Sequence, residues 1–140
     1  MVHPVQETLF IAEHQLEIGT FRFYKNLIIG NINRGSKVTL DQALPLLAIW
    51  PLYYNEAQPM VYLSDRKNSY SIDPTMHLEI QKLFPFLLGY GAVVYNEINY
   101  RVAQLEQQFL QCPSGIFHDL DAAINWASEL IEDTPEVSRT

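Results

Sequence analysis

The stretch Ser64-Asp65-Arg66-Lys67-Asn68-Ser69-Tyr70-Ser71-Ile72-Asp73-Pro74 gathers the side chains best suited to polar chemistry. It follows an apolar run that reads as a strand and leads into a helix start. In open α/β sheets ligands bind beyond the carboxyl ends of strands, and exposed N–H groups at a helix N-terminus favour anions. Arg66 would bring charge and directional donors, Asn68, Ser69 and Ser71 further polar contacts, and Tyr70 a cover. An ordinary polar loop in which Asp73 caps the next helix accounts for the same residues.

Other constellations carry less. His77 and Glu79 lie two apart, so on a helix they face different directions and make no metal pair. Cys112 and His118 have no third residue to orient them as a nucleophile and base. Gly89-Tyr90-Gly91 lacks the third glycine of a dinucleotide fingerprint and reads as a helix stop. Glu97, Glu106, Asp119 and Asp121 fall on separate elements, so their spacing argues for no paired-carboxylate chemistry. No catalytic residue, cofactor or metal site is expected. The aromatic group Trp50, Tyr53 and Tyr54 suits either an interface, where Trp and Tyr are common anchors, or the core.

The elements that must position these residues read as ββαβαβαβα. Leu16, Ile18, Phe21 and Phe23 suggest an extended segment with a bulge or twist at Gly19–Thr20. Lys25–Asn26 then joins it to Leu27–Ile32 as an antiparallel hairpin. Thr39 to Gln42 fits a capping box at the start of a first helix, kinked near Pro45 and ending near Pro51. Met60–Leu63 and Ala92–Tyr95 are short apolar runs, as strands buried on both faces are. Asp73-Pro74 starts a second helix carrying Met76, Ile80, Leu83, Phe84 and Leu87, and Val102, Leu105 and Phe109 mark a third. Ile116-Phe117 is a short strand, and Asp119 caps a last helix along Leu120, Ala123, Ile124, Ala127, Leu130 and Ile131. Leu63, Val93, Val94 and Ile124 are the expected deep core. Alternating strands and helices require a largely parallel sheet with right-handed crossovers.

Composition narrows the function classes. The chain has 140 residues, 48% hydrophobic, which suits one domain over 1–140 with a core of about 16–132 and flexible ends at 1–7 and 133–140. Sixteen acidic residues against nine basic ones give a net charge of −7, which argues against nucleic acid as a partner. No apolar run approaches the ~20 residues of a membrane helix, and the N-terminus has no basic-then-apolar targeting pattern. One cysteine, Cys112, fits a reducing compartment, and a cytoplasmic protein is expected.

The element order, the strand Met60–Leu63 and the Ser64–Pro74 loop resemble STAS-type domains, specifically their SpoIIAA-like relatives. Ser69-Tyr70-Ser71-Ile72-Asp73-Pro74 and Phe117-His118-Asp119-Leu120-Asp121-Ala122-Ala123-Ile124-Asn125-Trp126 resemble a subgroup of uncharacterised single-domain bacterial proteins of Bacteroidetes type. The resemblance covers about residues 16–132. It implies an α/β fold: a mixed sheet of four or five strands with an antiparallel N-terminal hairpin and flanking helices. In anti-sigma antagonists of this class a phosphorylatable serine follows an Asp at the start of the second helix. Here Asp73 takes the Asp position, Pro74 the serine's and Thr75 the next, so the serine of the switch is missing. The implied role is non-enzymatic: binding of a partner protein or self-association, with a small-ligand or lipid carrier as the alternative, using a pocket between helices and sheet.

Overall fold

Leu27–Ile32, Met60–Arg66 and Leu87–Val94 are buried over most of their length, and they form inner strands of a six-stranded sheet. The computed structural model describes residues 9–55, 58–83 and 87–134. Its elements run β1 (Phe10–Leu16), β2 (Gly19–Tyr24), β3 (Leu27–Ile32), β4 (Lys37–Val38), α1 (Leu40–Tyr53), β5 (Met60–Arg66), β6 (Ser71–Ile72), α2 (Met76–Leu83), β7 (Leu87–Val94), α3 (Glu97–Gln107), β8 (Ser114–Phe117) and α4 (Leu120–Glu132). The sheet order is β1-β2-β3-β5-β7-β8, antiparallel through β3 and parallel from β3 to β8. The expected mixed α/β sheet with an antiparallel N-terminal hairpin is therefore present, with six strands where four or five were expected. The additional strand is β1: Glu17–Ile18 is a turn, so Leu16 and Phe21 belong to different strands.

Period-two alternation assigns the faces. Met60 and Tyr62 of β5 join Phe21, Phe23, Ile28, Leu46, Trp50 and Met76 under α1 and α2. Val61 and Leu63 face the opposite way, into Leu27, Ile29, Val93, Ala123, Ile124 and Ala127 under α4. Ala103 of α3 packs on Ala92 and Val94. Leu63, Val93, Val94 and Ile124 are all at most 1% exposed, as the apolar runs lead one to expect.

Local departures have physical causes. α1 continues through Pro45 and two residues past Pro51, because burial of Ala43, Leu46, Leu47 and Trp50 outweighs the missing donors. Thr39 precedes this helix in an extended conformation, yet its side chain makes no capping bond. Gly89-Tyr90-Gly91 is not a helix stop but the middle of β7. Leu87, expected on the second helix, starts that strand, and Phe84 lies outside the described residues. Asn96 and Asp119 cap α3 and α4, each side chain accepting a backbone N–H at 2.8 Å. Most of the two ends expected to be flexible falls outside the described residues. Asp133 and Thr134 still return backbone bonds to Glu129 and Ile131.

Candidate functional site

Strand β5 runs three residues further than its apolar pattern suggests, and that extension builds the site. Ser64 and Arg66 sit at alternate positions after Met60 and Tyr62, so they share the face beneath α1 and α2. Arg66 is therefore not a loop residue offering a free cation: it is 2% exposed, and Glu106 of α3, 1% exposed, places Oε2 2.5 Å from its Nη1. Its Nε donates to Ser64 Oγ at 3.1 Å and its Nη2 to Tyr90 Oη at 3.1 Å. Tyr90 donates onward to Glu106 Oε1 at 3.0 Å, and His77 Nε2 meets the same oxygen at 2.8 Å. Ser64 Oγ lies 3.0 Å from the Tyr70 hydroxyl. One chain of contacts thus links Tyr70, Ser64, Arg66, Tyr90, Glu106 and His77.

The electrostatics of this chain are self-contained. Burial opposes ionisation of Glu106, but the His77 hydrogen bond and the Arg66 charge together hold its carboxyl below the usual glutamate range. Burial likewise works against the Arg66 charge, and Tyr90, Tyr70 and Glu106 more than offset it. Burial pushes the phenols of Tyr62, Tyr70 and Tyr90 up, so all three keep their protons at neutral pH. An ionised carboxylate only accepts, so the proton between His77 and Glu106 sits on Nε2.

Above this network lies an apolar pocket between α1, α2 and the sheet, about 70 Å³ in volume. Leu46, Leu47 and Trp50 come from α1, Met76 and Ile80 from α2, and Phe21, Ile32 and Leu87 from the sheet. Tyr62 and Tyr90 are stacked in its floor with ring centroids 5.6 Å apart. Gly30 makes that floor possible, since a Cβ there would collide with the Tyr62 hydroxyl and the Phe21 ring. An apolar cavity of ~150 Å³ takes benzene, and sites for drug-sized ligands run to ~300–1,000 Å³. The pocket is partly open, so it suits the slender end of a linear molecule whose remainder reaches out of it. A second cleft of about 490 Å³ lies at the carboxyl end of β7, between Tyr95, Glu97, Tyr100 and His118, and is open and mixed in polarity.

The remaining residues singled out from the sequence have structural partners. Asn68 donates to the Ile32 carbonyl at 3.0 Å, Ser69 accepts from Gly35 N at 2.8 Å, and Ser71 N donates to Ser36 O at 2.9 Å. These bonds pin the 67–70 loop to the turn before α1. Tyr70 alone among the loop residues reaches the pocket. Asp73 Oδ1 accepts from Thr75 N at 3.0 Å and from its hydroxyl at 2.6 Å, which holds the exposed carboxyl below its usual range. Trp50 and Tyr54 are 8% and 4% exposed, so they serve the core rather than an interface. Tyr54 donates to Tyr24 O at 2.5 Å, and Tyr53 Oη lies 2.6 Å from His14 Nε2, tying α1 to the hairpin. Sequence reasoning missed Tyr62, Tyr90 and Glu106 as a group with Arg66 and His77. The available signal was the polar continuation Ser64, Arg66 in phase with Met60 and Tyr62.

Among the described residues no group of three or more His, Cys, Asp or Glu could hold a metal ion, and no helix is long and apolar enough to cross a membrane. No family model and no curated protein matches the chain. A solved structure similar to it is that of an uncharacterised protein from the DUF3478 family with a SpoIIAA-like fold, from Shewanella loihica PV-4. That likeness is 15% in identity over 84% of this chain and 91% of the other, with a TM-score of 0.46.

Proposed function

We propose that this domain binds a small, largely apolar molecule and does not transform it. The observation that carries this reading is the pocket between α1, α2 and the sheet, lined mostly by apolar side chains with a few polar groups among them. Ligand sites have this construction, with mostly apolar walls and a few placed polar groups that fix orientation. The groups able to do acid–base work are engaged with one another: Glu106 and Arg66 are 1% and 2% exposed and face each other, not the pocket. That favours binding over turnover. A cytoplasmic setting fits the single thiol of Cys112, whose burial pushes its pKa up and makes it a poor nucleophile.

Native mass spectrometry of protein purified from its own cells tests this. A retained mass adduct is expected, and it should vanish in Ala43→Phe, which fills the pocket from α1, where Ala43 is 6% exposed. The reading is overturned by an adduct that persists in a folded Ala43→Phe chain. It is equally overturned by a wild-type chain with no adduct whose pocket methyl resonances are unmoved by hexane or 2-hexanone.

Protein binding is the second reading, favoured by Leu9, Phe10 and Ile11, which are 38%, 47% and 44% exposed on or beside the edge strand β1. Sedimentation over a hundredfold concentration range should then show mass rising, and Phe10→Ser should suppress the rise. A constant monomer mass removes the homodimer version.

A further inference from the structure

We infer that the pocket selects an uncharged oxygen acceptor, such as the carbonyl of a ketone, ester or amide on an apolar body, and rejects the corresponding carboxylate. This rests on the pocket being a ligand site and names the chemistry its floor would recognise.

The first ground is charge. Among the described residues, no Lys, Arg, Asp or Glu lines the pocket, and His77, which does, turns its Nε2 to the Glu106 carboxylate at 2.8 Å, so a charge on that ring would be met there. The nearby cation, Arg66, is cancelled by Glu106 at 2.5 Å, and its Nε and Nη2 are committed to Ser64 and Tyr90. An anion entering the pocket would lose its hydration and find no net positive charge in return, which is a heavy cost in an apolar site.

The second ground is a count of donors. Tyr90 both donates and accepts within the network. Gln81 is spent at both ends: its Nε2 donates to His77 O and Phe109 O, and its Oε1 accepts from Gln111 N. Ser64 and Tyr70 share one hydrogen bond between two hydroxyls, so one of their two protons is left over. Tyr62 has no hydrogen-bond partner among the described residues, although its hydroxyl stands in the pocket floor over Gly30. Two O–H donors thus face the cavity without an assigned acceptor among the described residues. The burial that pushes the Tyr62 and Tyr70 phenols up keeps both as donors. A ligand oxygen placed there would gain a hydrogen bond that the Tyr62 hydroxyl does not make within the described residues.

The test is a matched series of six-carbon probes at pH 7: 2-hexanone, hexanoate and hexane, titrated into the full chain and followed by methyl NMR of Leu46, Leu47, Ile72 and Ile80. 2-Hexanone should bind at least roughly tenfold tighter than hexanoate, since the anion finds no compensating charge. Tyr62→Phe should weaken 2-hexanone by roughly 3- to 10-fold, the worth of one neutral hydrogen bond, and leave hexane unchanged. Tyr70→Phe combined with Ser64→Ala, which removes both hydroxyls of the other pair, provides the same test should Tyr62→Phe disturb the stacked floor. Hexanoate binding as well as 2-hexanone overturns the inference and leaves the pocket reading standing. So does hexane matching 2-hexanone with both Phe variants silent. If none of the three probes moves a pocket methyl, the pocket reading falls and the inference with it.

Discussion

The two faces of this sheet are covered by helices in different ways. Under α4, three glycines let large side chains press onto the strands. A Cβ at Gly91 would stand 2.7 Å from Leu63 and 3.1 Å from Trp126, and one at Gly89 2.7 Å from Leu130. Ala123, Ile124 and Ala127 of that helix are fully buried. Under α1 and α2 the floor is aromatic, the walls do not close, and about 70 Å³ stays empty above an ion pair that apolar residues could replace. One face is closely filled, and close packing of this kind is a main source of stability. The other gives up packing around a polar floor, which is how binding sites are built.

The largest expected effect breaks the polar floor. Glu106→Leu leaves Arg66 buried and unpaired, and the loss should be about 3–5 kcal/mol by urea unfolding. Adding Arg66→Met should return a good part of it, because an uncompensated charge then no longer remains. If the double variant is no better than Glu106→Leu alone, the pair is not what holds this region. Arg66→Ala should be costly for the same reason, unlike the exposed loop arginine that the sequence suggests.

Filling differs between the faces, and two truncations measure it. Ile124→Ala on the α4 side should cost about 2–5 kcal/mol, with lost transfer energy and a new cavity adding together. Leu46→Ala, whose side chain already borders empty space, should fall at about 2 kcal/mol or less, since atoms lining a void have fewer contacts to lose. Equal costs would mean that the pocket closes on itself in solution.

Much of the α4 face is readable from the chain because its determinants are local or periodic. Asp119 precedes an apolar stripe at helical spacing, and Val93, Val94 and Leu63 sit in short unbroken apolar runs. The hairpin is marked by the polar pair Lys25–Asn26 between two strands. The pocket face is hidden because its contacts are distant: His77 and Glu106 are 29 residues apart, Arg66 and Tyr90 are 24 apart. Ser64, Asp65 and Arg66 look like the start of a loop, since nothing local announces that a charged residue will end up buried. Gly89 and Gly91 read as a helix stop for a related reason. Their purpose is to admit Trp126 and Leu130, which lie more than thirty residues further on.

Acid should separate the faces next. Glu106 has a folded-state pKa below its unfolded value, so its contribution is fully present above about pH 4.3. It is lost as pH falls from there through the depressed folded-state value, because the unfolded chain takes up that proton first. Wild-type urea midpoints should therefore fall more steeply below about pH 4 than those of Glu106→Gln, with the two curves running parallel above pH 5. Parallel curves throughout would mean that the carboxyl is not held ionised by His77 and Arg66.

The smallest effect is a control on what the difference between the faces is made of. Asn96 caps α3, which carries Glu106 to the polar floor, and Asp119 caps α4 on the filled face. Each accepts one backbone N–H at 2.8 Å. Each should cost about 1 kcal/mol when replaced by Ala, since a lost cap frees one donor whatever the helix packs against. Equal losses would assign the contrast to packing and buried charge and not to helix ends. A clearly larger loss for Asn96→Ala would point to Asn99, whose backbone N–H is the one Asn96 holds and whose side chain donates to Arg66 O at 3.3 Å. The start of α3 would then help to position the buried arginine, and 2-hexanone affinity should drop in Asn96→Ala while remaining unchanged in Asp119→Ala.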